Sequence, residues 1–153
     1  MEITETTYQN TIGLGYIDLD GWIPGDKLYP EWMDDPKEVV YAEKLMDPEQ
    51  EVLPAGKYTL KITYPLTNPY IQEIDAEVPI KRKSLVELIV VAYRYIYLVE
   101  KESSAVAPAL IPGMLNRIQT NGDYGIWGHS LGDLMLHTAY VDEHNEITVG
   151  CDS

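Results

Sequence analysis

Leu85-Val86-Glu87-Leu88-Ile89-Val90-Val91-Ala92-Tyr93-Arg94-Tyr95-Ile96-Tyr97-Leu98-Val99 is the stretch on which the fold turns. Leu85, Leu88, Ile89, Ala92, Ile96 and Val99 recur at helical spacing on one face, and Val86, Val90, Tyr93 and Tyr97 widen that face nearly all the way round. Ser84-Leu85-Val86-Glu87 has the form of a capping box, so the sequence predicts one long buried helix over 85–100. Glu87 and Arg94 interrupt a run already short for a bilayer, and no transmembrane segment is expected. Lys81-Arg82-Lys83 before the helix and Glu100 and Glu102 at its end oppose the macrodipole, at about 0.3 to 1 kcal/mol each if exposed. Burial must therefore dominate the helix's stability. The basic triplet is expected to pair with acidic residues upstream.

Upstream, Tyr58, Leu60, Ile62 and Tyr64 alternate with Lys57, Thr59, Lys61 and Thr63, the pattern of a half-buried strand. Beyond the turn-forming residues 65–69, Ile74, Ala76, Val78 and Ile80 alternate with Glu73, Asp75 and Glu77. This predicts a hairpin partner whose acids face the lysines of the first strand. Downstream, 103–132 is punctuated by prolines and glycines with no convincing element, an unusual length for a loop in a compact domain. Residues 134–141 and 146–149, around Asp142-Glu143-His144-Asn145, read as a closing hairpin.

The front of the chain is rich in turn formers, with a short strand expected over 11–19 and a helix from Pro36 to about Met46, capped by Asp35 and stopped at Asp47-Pro48. At 153 residues, against about 100 to 200 per domain, the chain is expected to form a single domain over 1–153. Residues 1–56 would be an irregular acidic segment with a short helix, and 57–150 a hairpin-helix-loop-hairpin core. The fold class is α+β, an antiparallel or mixed sheet of about four to five strands packed on the long helix.

Twenty-five acids against eleven bases give a formal charge of −14, and residues 1–56 hold thirteen of the acids against three bases. Such a field repels phosphate backbones and anionic headgroups, so nucleic acid and membrane are excluded as expected partners, and a more basic protein is favoured. One cysteine, Cys151, excludes an intramolecular disulfide; with no secretory pattern at Met1-Glu2-Ile3-Thr4-Glu5, a cytoplasmic setting is expected. Twelve Tyr, three Trp and no Phe make every large aromatic amphipathic, which suits half-buried surfaces.

Gly128-His129-Ser130-Leu131-Gly132 matches the G-x-S-x-G nucleophile elbow, but the glycine-rich chain before it and the strand pattern after it are not the strand-turn-helix that the elbow requires. If catalysis occurs, its residues would be Ser130, His137 and Asp133. His129, Asp133 and His137 fall every four residues and would converge on a metal only in a helix; the strand pattern from Leu134 dissolves them, so no metal is expected. Asp18-Leu19-Asp20-Gly21 fails the EF-hand pattern, with Ile23 and Tyr29 where glycine and glutamate belong. The glycines at 122, 125, 128 and 132 fail the dinucleotide fingerprint, and no cofactor is expected. The densest run of polar and aromatic groups is Arg117, Asn121, Tyr124, Trp127, His129 and Asp133, where a ligand or partner would be sought.

The leading expectation is a small acidic binding module without catalysis, engaging a basic protein in the manner of an inhibitor or immunity protein. The alternative is a small-molecule or hydrolytic site in loop 116–133, and a third reading is an oligomer assembled through sheet edges.

Overall fold

The computed structural model describes residues 10–19, 45–104, 120–127, 129 and 131–152. Its strands are β1 (Asn10–Asp18), β2 (Glu51–Leu53), β3 (Gly56–Ile62), β4 (Tyr70–Ala76), β5 (Ile80–Lys81), β6 (Met135–Val141) and β7 (Glu146–Asp152). Helix α1 runs Arg82–Ser103, and a single 3-10 turn covers Leu131–Asp133. The main sheet has the order β1-β6-β7-β3-β4, and β2 pairs with β5 in a small second sheet. All pairings are antiparallel except β3 with β7, which run parallel over Thr59–Glu146 and Leu60–Ile147. The fold is thus α+β with a mixed five-stranded sheet.

The sheet's alternation follows the sequence pattern as far as Ile62; Tyr64, expected on the same buried face, lies past the strand's end and is exposed. Tyr58, Leu60 and Ile62 are buried, while Lys57 stands opposite Asp75, and Thr59 Oγ1 donates to Glu73 Oε1 at 3.2 Å on the other face. These side chains join Leu14, Ile17, Leu136, Ala139 and Ile147 of the neighbouring strands and Leu85, Ile89, Tyr93 and Ile96 of α1 in one hydrophobic cluster. Each fully buried aliphatic side chain contributes about 1.5 to 3 kcal/mol. The closing hairpin forms as expected and extends to Asp152. Asp142 Oδ1 accepts the amides of His144 and Glu146, which hold its carboxyl below the usual range.

Three expectations change. The helix begins at Arg82, with no side-chain cap, so Ser84 is not its N-cap. The chain enters α1 directly from β5, and the first amides, of Arg82 and Lys83, donate to the carbonyls of Gln50 and Pro48 at 2.8 and 2.9 Å. The second strand of the hairpin stops at Ala76 rather than continuing through Ile80. The chain turns at 77–79 through Pro79, which leaves Val78 exposed and passes Ile80 to the second sheet. The expected helix over 36–46 lies outside the described residues except at its end, where Leu45 bridges Gly15, and Met46 N donates to Leu14 O at 3.1 Å.

The basic triplet divides. Lys81 pairs with Glu49 at 3.0 Å on the surface. Arg82 is buried and serves backbone: Nε donates to Gly13 O at 2.7 Å, and Nη1 donates to Asp47 O at 3.0 Å and Gln50 Oε1 at 2.8 Å. One guanidinium thereby ties β1, the 47–50 turn and the start of α1.

Candidate functional site

The expected site loop is organised by a residue whose place in the sequence suggests a misplaced surface charge. Glu100, in the last turn of α1, is fully buried. Its Oε2 accepts from Thr120 Oγ1, from Gly122 N at 2.7 Å and from Gly125 N at 3.1 Å, and its Oε1 accepts from Tyr124 N at 2.7 Å. Burial works to raise the carboxyl's pKa, but the Thr120 hydroxyl and the three amides outweigh it, and the net displacement is downward. Asn121 is consumed by Ser104 and Asp123 N by Ser103 Oγ, while Tyr124 O accepts the amides of Thr67 and Asn68. A Cβ at Gly122 would collide with Ser103 Oγ and lie 2.9 Å from Glu100 Oε1; Gly125 sits at φ +61° against Thr67. The main chain of residues 120–126 is therefore pinned to the end of α1, with Asn121 and Asp123 exposed on its outer side.

Beyond this segment, Trp127 is exposed and anchored by its amide to Pro65 O at 2.7 Å. Two tyrosines one helical turn apart on α1 hold the neighbouring backbone in place. Tyr93 donates to Tyr64 O, and Tyr97 donates to His129 O, each at 2.8 Å. Burial keeps both hydroxyls neutral, with the charge of Asp133 adding to the effect at Tyr97. The side chains so placed form a row in which Tyr64 Oη lies 3.1 Å from His129 Nε2, and His129 Nδ1 lies 3.8 Å from Asp133 Oδ2. His137 belongs elsewhere, in β6, 3.4 Å from Asp152 and 2.7 Å from Thr138 Oγ1. Of the expected site, His129 and Asp133 come together near Trp127; Arg117 and Ser130 lie outside the described residues. Among the described residues no three histidine, cysteine or acidic side chains converge as a metal site, and no helix is long and apolar enough to cross a membrane.

The second candidate is a groove that the sequence did not single out. Between β4 and the first half of α1 lies an open, mainly apolar depression of about 450 Å³, lined by Ile74, Ala76, Val78, Leu88 and Val91. Glu77 and Glu87 are its charged lining residues, both acidic. Val78 and Val91 are exposed, as are Ile71 on β4 and Tyr95 and Leu98 further along α1. β4 is the last strand of the main sheet among the described residues. Thr59 N donates to Asn145 O, and Lys57 O accepts from Asn145 Nδ2, so the main chain of these two β3 residues points toward β7. Their partners across the unbroken β3–β4 register, Glu73 and Asp75, consequently turn their own N–H and C=O away from β3, as does Ile71 by the same alternation.

Sequence reasoning missed the groove because Val78 carried the phase of a core strand, and it missed Glu100 because the donors lie twenty or more residues further along the chain. Compared with protein-family models, curated proteins and solved structures, the chain matches none.

Proposed function

We propose that the chain is a non-catalytic binding module whose docking surface is the β4–α1 groove and whose partner is a more basic protein. The observation that carries this reading is the groove itself, with apolar walls exposed to solvent and only carboxylates among its charged lining residues. The −14 charge of the chain repels nucleic acid and steers a cationic protein toward it. An inhibitor- or immunity-like pairing is one form of such a function. The cytoplasm is the setting within this reading, supported by the single cysteine of the chain. The test is recovery of a partner by the full chain and by Val91→Glu, at low and high salt. A basic protein retained by the wild type, released by salt and lost with Val91→Glu supports the proposal; a partner indifferent to both overturns it.

A second reading, a small-molecule or hydrolytic site, is favoured by the Asp133, His129 and Tyr64 row. It sets carboxylate, imidazole and hydroxyl in the order used to activate a nucleophile. A fluorophosphonate probe should then label Tyr64 or Ser130 in a His129-dependent way. Equal labelling of His129→Ala, or none of the wild type, removes this reading.

A further inference from the structure

We infer that β4 accepts an extended segment of the partner as an additional antiparallel strand, with basic and apolar residues alternating along that segment. This rests on the binding-module reading and specifies how the groove is filled. Three observations carry it. The outward main-chain groups of Ile71, Glu73 and Asp75 are spaced two residues apart, the repeat an antiparallel neighbour requires. Side chains alternate between the two faces, so residues of the incoming strand set opposite Gln72, Ile74 and Ala76 would project on the α1 side, into the groove with Val78, Leu88 and Val91. Those set opposite Glu73 and Asp75 would stand on the outer face beside exposed carboxylates. Lys57 and Lys61 stand behind them on β3, opposite Asp75 and Ile71, but the carboxylates of Glu73 and Asp75 on β4 and of Glu77 just past it lie nearer the open edge. The groove selects apolar groups, the outer face selects lysine or arginine, and the edge fixes the register between them.

Among the described residues, the edge lacks several of the usual protections against strand addition. It holds no proline and no lysine within β4 and no bulge against β3, and it presents Ile71 to solvent. What stands in their place is negative charge, which repels a second copy of this acidic edge while admitting a basic strand.

The experiment uses the full chain and a short end-capped peptide alternating lysine and valine, followed by amide hydrogen exchange and chemical shifts. Binding should slow exchange at Ile71, Glu73 and Asp75 about tenfold or more and move the methyl signals of Leu88 and Val91. A glutamate-valine peptide, or the lysine-valine peptide N-methylated along one edge, should bind at least about tenfold more weakly. Ile71→Pro removes only an outward-facing donor and leaves the β3 ladder intact, so it should fold and lose the peptide. Reversing charge with Glu73→Lys and Asp75→Lys should exchange the preference to the glutamate-valine peptide. Methyl shifts at Leu88 and Val91 with unprotected edge amides and undiminished binding of the N-methylated peptide would overturn strand addition while leaving the groove reading standing. No binding of the lysine-valine peptide would overturn the inference, with the partner reading decided separately by the salt-dependent recovery of a basic protein.

Discussion

The loop at 120–126 and the groove beside β4 are opposites. In the loop, the main-chain amides of 122–125 and the Thr120 hydroxyl are taken up by one carboxylate and a serine hydroxyl. In the groove, apolar side chains stand in water and a row of main-chain donors and acceptors faces outward. A buried polar cluster that closes on itself is structural, because each partner is needed to offset another's desolvation. An apolar surface beside main-chain groups that no described strand pairs has no such internal account. Under the proposed reading, density of polar residues in sequence is a poorer guide to a site than the match between groups and their partners.

The sharpest way to break this contrast is Glu100→Ala. It leaves one buried and two part-buried amides without their acceptor and the Thr120 hydroxyl with only the longer bond to Ile126 O, and it should cost about 3 kcal/mol or more, read as a lower urea midpoint. If the loss is under about 1 kcal/mol, the loop is not held by Glu100. Gly122→Ala comes next, at about 1 to 3 kcal/mol from overpacking against Ser103 and Glu100, checked by the same unfolding curve. Acid provides a third test. The folded-state pKa of Glu100 lies below its ordinary 4.5, so between those two values the unfolded chain binds more protons. Its contribution is full above the ordinary value and is lost as pH falls through the folded one. Stability measured from neutral pH downward should decline there, and less steeply in Glu100→Gln. The smallest effect belongs to the groove, where Val91→Ser should change stability by no more than about 0.5 kcal/mol while weakening the lysine-valine peptide. A larger stability loss would mean that Val91 is part of the core.

The elements legible in sequence are those whose pattern is enforced by half-burial over several residues. Tyr58 to Ile62 alternates because one face meets α1, and Leu85 to Ile96 carries a wide apolar face because it lies against the sheet. Element ends were less legible, since they depend on distant chain. The start of α1 is set by the carbonyls of Pro48 and Gln50, which supply what a local Ser84 cap would have supplied. Ile80 kept the phase of β4 but was diverted by Pro79 to a different sheet. Of the candidate site, the spacing of four set His129 beside Asp133 only for a helix, and the structure brings them together through the 3-10 turn at Leu131–Asp133 instead. Tyr64 could not be placed there from sequence, because it arrives from another segment held by Tyr93. Glu100 was misread for the same reason: a carboxylate at a helix end is costly only until a loop returns to donate to it.

The parallel join between β3 and β7 spans only Thr59 and Leu60 on one side and Glu146 and Ile147 on the other, supplemented by the Asn145 side chain. The sheet is thus two ribbons, β3–β4 and β1–β6–β7, stitched along a seam two residues wide. The side chains of α1 share one hydrophobic cluster with residues of both ribbons, and their burial adds to what so short a seam supplies. A lesion at Ile89 or Tyr93, which share that cluster with residues of both ribbons, should therefore loosen the two halves together.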